Sequence, residues 1–334
     1  MPTDPPNPAA PLESVTLSAV RSAAELIRPY VLRTPTLPIR RLSETLGLPV
    51  VGKFELLQHT GSFKVRGAFH RMLRLTEAEQ AAGVVAVSGG NHGLAVAYAA
   101  RELGLTATVI MPATAPASSV EQARRDGAEV TIVDTIGEAF ARALAEVASG
   151  KVLVHPFDDP AVVAGQGTLG LELYEDEPAV TDVIASVGGG GMIAGVAVAL
   201  KSLHPSIRIW GVETVGADVM TRSLAAGEPV TLDAITSIAT TLGAPTVSAL
   251  TLTIVQALVE DVVVVSDADA VRAIETISRT GKIITEPAAS ATWAAAQRIR
   301  GQLPDTARVA LILCGGNVDL DDVDRWRVQF PPAR

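Results

Sequence analysis

Short runs of β-branched and aliphatic residues recur along this chain and alternate with Ala- and Leu-rich stretches of helical length. The strand-like runs are Val84–Val87, Thr106–Met111, Glu129–Val133, Val183–Val187, Ile207–Val212, Val262–Val265 and Val309–Leu313. Helical stretches between or after them include Leu94–Leu103, Ser118–Asp126, Glu138–Ala148, Ala268–Ser278 and Ala288–Ile299. The runs are almost continuously Val and Ile rather than alternating with polar residues. They therefore describe strands covered on both faces, which predicts a parallel α/β architecture. Right-handed crossovers then put each strand-to-helix turn at the carboxyl edge of a sheet, where ligands bind. With 48% apolar and 19% charged residues, the chain has ample material for a large core, and 334 residues suit about two domains.

Other classes drop out on charge and cysteine content. The chain carries 27 Lys and Arg against 36 Asp and Glu, a net charge of −9, with no basic run to hold a phosphate backbone. Nucleic acid is not an expected partner. The single cysteine, Cys314, excludes an internal disulfide and a Cys-based zinc cage. Two uncharged stretches, Val183–Leu200 and Ala234–Val259, are broken by glycine, proline and hydroxyl residues and read as buried core, not membrane spans. The Pro-rich start over residues 1–14 reads as a disordered tail without the basic and apolar parts of a signal peptide. A cytoplasmic protein is expected.

Four segments carry possible chemistry, each where a strand gives way to a helix or loop. Gly188-Gly189-Gly190-Gly191-Met192 would let backbone N–H groups converge on an anion at a helix start. Its Gly189-x-Gly191-x-x-Ala194 spacing also fits a dinucleotide turn, with Glu213 placed for a ribose contact, so this segment alone leaves both ligands open. After the strand-like Val50–Glu55, Lys64 in Thr60-Gly61-Ser62-Phe63-Lys64-Val65-Arg66-Gly67-Ala68 has apolar neighbours that would desolvate its amine and favour the nucleophilic neutral form. Ser88-Gly89-Gly90-Asn91-His92 combines a hydroxyl, two glycines and an amide at a helix start. That composition suits a carboxylate, and equally suits an ordinary capping turn. Cys314-Gly315-Gly316-Asn317 closes the last strand, with the thiol either packed as a small apolar group or facing a heteroaromatic nitrogen.

Together, from about Val31 to Leu320, these segments resemble the fold-type II pyridoxal-phosphate enzymes of the threonine/serine dehydratase and serine racemase branch. Glu55–Ala68 is similar to the family's cofactor-lysine segment. His155-Pro156-Phe157-Asp158-Asp159 followed by Ala164-Gly165-Gln166-Gly167-Thr168 is a further shared signature. The resemblance implies a tryptophan synthase β-like fold with two parallel-sheet α/β domains and the cofactor in the cleft between them. Residues 15–83 and 159–330 would form the large domain, and 84–158 a small inserted one that closes on substrate. Lys64 would hold the cofactor aldehyde, Gly188, Gly189, Gly190 and Gly191 with Met192 its phosphate, and Phe63 would lie against its ring. Asn91 would bond the 3′-hydroxyl, and Cys314 would face the pyridine nitrogen. Ser88, Gly89, Gly90, Asn91 and His92 would receive the substrate carboxylate. Glu213 and the region of Ala217-Asp218 resemble a site for Mg²⁺ or another divalent cation found in part of the family, with a surface-exposed acidic pair as the alternative. A homodimer is implied.

The implied reaction is dehydration and deamination of L-threonine or L-serine to a 2-oxo acid and ammonia, with Lys64 removing the Cα proton. A thiol at position 314 would not keep the ring nitrogen protonated, which favours prompt loss of the β-hydroxyl. The racemase branch carries a second hydroxyl where this chain has Gly89, so racemisation is expected to be poor, and Gly89 is expected to leave extra room. Val219 stands where the racemases have a carboxylate, which weakens the cation expectation. The absence of an extension after Leu320 argues against the feedback-controlled dehydratase form. The alternatives are a serine racemase, a dehydratase of another β-hydroxy amino acid such as 3-hydroxyaspartate, an NAD-dependent oxidoreductase, and a cofactor-binding module without turnover.

Overall fold

The computed structural model describes residues 13–331. Most of the tail expected over residues 1–14 lies outside the described residues; residues 13 and 14 are helical, so the disorder expected there does not extend to them. Among the described residues, ten strands form two sheets. In chain order they are β1 (Thr36–Pro38), β2 (Val50–Lys53), β3 (Val84–Val87), β4 (Ala107–Pro112), β5 (Glu129–Val133), β6 (Val152–Leu153), β7 (Asp182–Ser186), β8 (Arg208–Thr214), β9 (Asp261–Val265) and β10 (Val309–Ile312). The larger sheet has the order β1-β2-β10-β7-β8-β9 and the smaller β5-β4-β3-β6. Every pairing is parallel except that of β1 with β2. This is the two-sheet α/β architecture expected from the unbroken Val and Ile runs.

Strand β7 shows why those runs are apolar throughout. All five of its residues are buried, with β10 on one side and β8 on the other. Val183 and Ala185 enter one apolar core and Ile184 the opposite one, as the two-residue period of a strand requires. The smaller sheet is built the same way, with Val84 and Ala86 on one face and Val85 and Val87 on the other. Its first face is covered partly from outside the 84–158 segment, by Ile27, Val65, Phe69 and Met72.

The first uncharged stretch is buried core; the second is buried over only part of its length, with Ala234, Thr236, Thr240 and Thr241 exposed. The first is β7, a glycine turn and the helix Gly191–Leu203, buried from Gly191 to Leu200; the second holds a short 3₁₀ turn, Thr240–Leu242, and the helix Ala249–Leu258. No helix among the described residues is long and apolar enough to cross a membrane. Two strands escaped the sequence pattern, the three-residue β1 and the two-residue β6, both too short to show a period.

Candidate active site

Four strand ends deliver the four segments. β2 leads through a 3₁₀ turn to the helix Lys64–Met72, β3 to the helix Asn91–Leu103, β7 to Gly191–Leu203, and β10 to Cys314–Asn317. β2, β10 and β7 are neighbours in the larger sheet, so three of the segments emerge side by side. Backbone bonds then stitch the lysine turn to the cysteine loop. Leu56 N donates to Leu313 O (3.0 Å), Phe63 N to Cys314 O (3.1 Å) and Gly316 N to Gly61 O (2.9 Å).

Lys64 is the first residue of its helix, and its Nζ donates to Pro156 O at 3.1 Å and lies 5.2 Å from the Phe63 ring centroid. The next residue, Phe157, lays its ring on the glycine turn, where a Cβ on Gly189 would stand 2.1 Å from it. One dipeptide thus touches the amine and the cradle together and fixes their spacing. Gly190 has φ +88°, which favours glycine, and the helix ladder starts at Ala194 N to Gly190 O (3.0 Å). The first-turn N–H groups are left outside the ladder, the usual anion-binding end of a helix. Met192 is buried in the second helical position and belongs to the core behind the turn.

Burial pulls the Lys64 ammonium down to about 8, with Cys314 and Glu286 acting in the opposite direction. At pH 7.5 roughly a quarter of such amines are neutral, against about a thousandth for an ordinary lysine. The rate at which the cofactor-free protein forms a borohydride-trappable adduct with an aldehyde is therefore expected to rise with a midpoint near pH 8. Adduct at Lys64, quantified by peptide mapping across pH 6–11, checks this; a midpoint near 10.5 would contradict the buried setting.

The Cys314 thiol is also buried. Desolvation and the nearby Glu286 push it well above the ordinary thiol range, and it hydrogen-bonds Ser186, which itself donates to Ala288 O at 2.6 Å. It is a neutral thiol, not a nucleophile.

The segment Ser88–His92 divides. Gly90 is the N-cap of its helix without a side-chain cap bond, and Ser88 Oγ accepts from Gly90 N at 3.1 Å. Asn91 does not cap; its side chain bonds Glu286 and Asn317. The His92 imidazole turns into the smaller sheet, with Nε2 bonded to Val154 O (2.7 Å), and burial pulls it down to about 3. Its ring is a neutral group tied to Val154, so a substrate contact at this position would come through the backbone. Gly89 is also corrected. A Cβ there would meet Ala115 Cβ at 2.8 Å, so the expected extra room is filled.

Glu213 is fully buried and both its oxygens are engaged. Oε1 accepts from Met220 N (2.8 Å), and Oε2 from Thr221 N (2.8 Å) and Thr221 Oγ1 (2.7 Å), at the start of the helix Val219–Ala226. It is a helix-start acceptor, as is usual for a carboxylate there, and its complete burial presents no open oxygen to a ribose. Among the described residues no group of three or more His, Cys, Asp or Glu is placed to hold a metal ion. The geometry gives the cation expected at Glu213 and Ala217 no support.

Several participants were not singled out from the sequence. Glu286 is 2% exposed and faces Asn91, and burial lifts it to about 7 although Asn91, Thr241 and Lys64 all favour its ionised form. The signal available was an acid directly before a helix-opening proline in an otherwise Ala-rich stretch, Thr285-Glu286-Pro287-Ala288-Ala289. Arg66, two residues after Lys64, is fully buried and forks onto Glu55 and Glu172.

Fold and site together define a class: a two-sheet α/β protein with a desolvated lysine held one residue step from a glycine anion cradle. Residues 27–315 match the family described as pyridoxal-phosphate dependent enzyme. The chain is 38% identical over 316 residues to an L-threonine ammonia-lyase of Thermotoga maritima, covering 93% of this chain and 78% of the relative. It is 37% identical over 311 residues to a serine racemase of Oryza sativa subsp. indica, covering 91% of each. The solved structure of maize serine racemase superposes with a TM-score of 0.89 at 35% identity, covering 95% of this chain and 98% of that one. The chain belongs to the pyridoxal-phosphate-dependent enzymes, and its fold is the fold-type II arrangement anticipated above.

Proposed function

We propose that this enzyme eliminates the β-hydroxyl of L-threonine, L-serine or both, releasing a 2-oxo acid and ammonia. The observation that carries the reading is the Lys64 amine, lowered to about 8 and set beside a neutral thiol and a glycine cradle. The residues fit pyridoxal phosphate by donor type. Lys64 would take the aldehyde, Gly188–Met192 the phosphate, Asn91 the 3′-oxygen and Cys314 the ring nitrogen, with Phe63 along the ring. Bound there, the cofactor supplies an electron sink for the substrate's Cα–H bond.

The chain's own groups do the rest. Lys64 Nζ, whose neutral fraction burial raises at working pH, accepts the Cα proton and holds it as ammonium. The Ser88–Gly90 turn, with Ser88 Oγ and the backbone at the helix start, binds the substrate carboxylate. The Cys314 thiol places no positive charge at the ring nitrogen, so charge at Cα is relieved by expelling the β-hydroxyl. Residues 84–158 form the part that closes over the substrate, and the working unit is a homodimer in the cytoplasm.

One observation separates this reading from racemisation. Position 89 carries no hydroxyl to protonate Cα from the opposite face, and the space for one is taken by Ala115 and Pro112. With L-serine, ammonia and 2-oxo acid are expected to form at least about tenfold faster than D-serine, a gap of about 1.4 kcal/mol between the two barriers. Coupled ammonia assay and chiral chromatography on the same reaction check this, and D-serine as the main product would reverse the assignment. A panel of β-hydroxy amino acids then ranks the side chain preferred.

A further inference from the structure

Glu286 has no part in the reading so far, yet separate stretches of chain close on its carboxyl group. Asn91 Nδ2 donates to its Oε1 (3.1 Å) and Oε2 (3.0 Å), and Thr241 Oγ1 donates to Oε1 (3.2 Å). A Cβ on Gly315 would stand 2.5 Å from Oε1 and 2.8 Å from Oε2, so glycine at 315 makes the room this carboxyl occupies. Glu286 is the N-cap residue of the helix Pro287–Arg298, but its side chain caps none of that helix's N–H groups. It serves the site instead.

The other end of the Asn91 amide is fixed as well. Asn317 Nδ2 donates to Asn91 Oδ1 (2.7 Å) and to Thr60 O (2.8 Å). An asparagine amide is nearly symmetric in shape, and only its partners decide which edge faces which way. Both Glu286 oxygens accept from Nδ2, and Asn317 donates to Oδ1, so the two partners together hold the NH₂ end of Asn91 toward the carboxyl group. Nδ2 has two hydrogens; sharing one between the two carboxyl oxygens would leave the other for a ligand.

We propose that Glu286 is a positioning residue that locks the Asn91 amide so that its NH₂ edge, not its carbonyl edge, meets the 3′-oxygen of pyridoxal phosphate. The proposal rests on the functional reading above, in which that cofactor binds with its 3′-oxygen at Asn91. Glutamine at 286 keeps size and shape but presents both a donor and an acceptor, so it removes the preference for one amide orientation.

The test is binding. The wild type, Glu286→Gln, Asn91→Ala and the double variant are titrated by equilibrium dialysis with pyridoxal phosphate and with its 3-deoxy analogue, which lacks the ring oxygen. Thermal melts of the cofactor-free chains report folding. Glu286→Gln is expected to weaken pyridoxal phosphate about tenfold and the analogue by less than about twofold. The double variant is expected to bind no more weakly than Asn91→Ala alone, since the two residues act in series. Unchanged affinity in Glu286→Gln, equal losses for both ligands, or losses that multiply in the double variant each overturn the proposal. Should Glu286→Gln not fold, Glu286→Asp serves: a loss confined to pyridoxal phosphate supports the role, and equal losses reject it. A wild type that binds neither ligand sinks the functional reading itself, and this inference with it.

Discussion

Replacing Lys64 with alanine is expected to leave a folded protein in which the visible band and the borohydride-trappable link to the cofactor are gone. Elimination from L-threonine should fall by about 10³-fold or more, since the residue supplies both the nucleophile and the general base. The fold should not suffer. Lys64 is the first residue of its helix, its amine has one bond to Pro156 O, and burial works against its charge. Removing a desolvated amine and adding the best helix former is expected to hold or raise the melting temperature of the cofactor-free chain. Absorbance, borohydride trapping and calorimetry on one preparation separate loss of chemistry from loss of fold. A Lys64→Ala protein that keeps its visible band and turns over would place the chemistry elsewhere.

Arg66 gives the opposite pattern, a large loss of stability. Its guanidinium donates to Glu55 through Nε (2.8 Å) and Nη2 (2.8 Å), and to Glu172 through Nη1 (2.7 Å) and Nη2 (2.8 Å). Lys53 completes the group, with Nζ 2.6 Å from Glu172 Oε2. Two cations thus meet two anions, with Arg66, Glu55 and Lys53 fully buried. Arg66→Ala leaves Glu55 buried without its main partner, and about 3–5 kcal/mol of stability is expected to go. Lysine at 66 restores the charge but not the fork, so it should recover only part.

The pH dependence distinguishes this from simple loss of packing. Burial on its own pushes Glu55 upward, but Arg66 and Lys53 outweigh it and hold its carboxyl below the ordinary range. In the wild type that contribution is complete above about pH 4.5 and is lost as pH falls through the lowered value. Without Arg66 the burial effect gains the upper hand and the carboxyl rises, so the native state takes up a proton on mild acidification. Arg66→Ala should therefore lose less stability relative to wild type at pH 5 than at pH 7.5. Urea denaturation at the two pH values checks it; a penalty that is the same or larger at pH 5 would deny Glu55 its part.

What could be read in advance follows the range of each signal. β3, β7, β9 and β10 announce themselves because a strand covered on both faces needs apolar residues at every position. β1 and β6 do not, because three residues or two carry no period. Lys64 and the glycine turn were legible because a short local motif marks each, although their contacts with Pro156 and Phe157 come from far along the chain. Glu286 was not: its meaning lies in a contact with Asn91, 195 positions away. Gly89 misled for a related reason. The residue type predicts an open space, and only the fold shows Ala115 standing in it. His92 looked like a ligand by its place at a helix start, and its ring is instead bonded to Val154, just past β6.

Phe63 belongs to the apolar core on the larger sheet, and Val65 to the core on the smaller one. Lys64 is therefore the residue at which two separately packed bodies meet, and its amine is gripped by a strap, Pro156, that runs between them. A sequence change that repacks either body shifts one flank of this residue against the other. Among variants of the two interiors, turnover should drift earlier than melting temperature, because the seam registers small misalignments that each body tolerates alone.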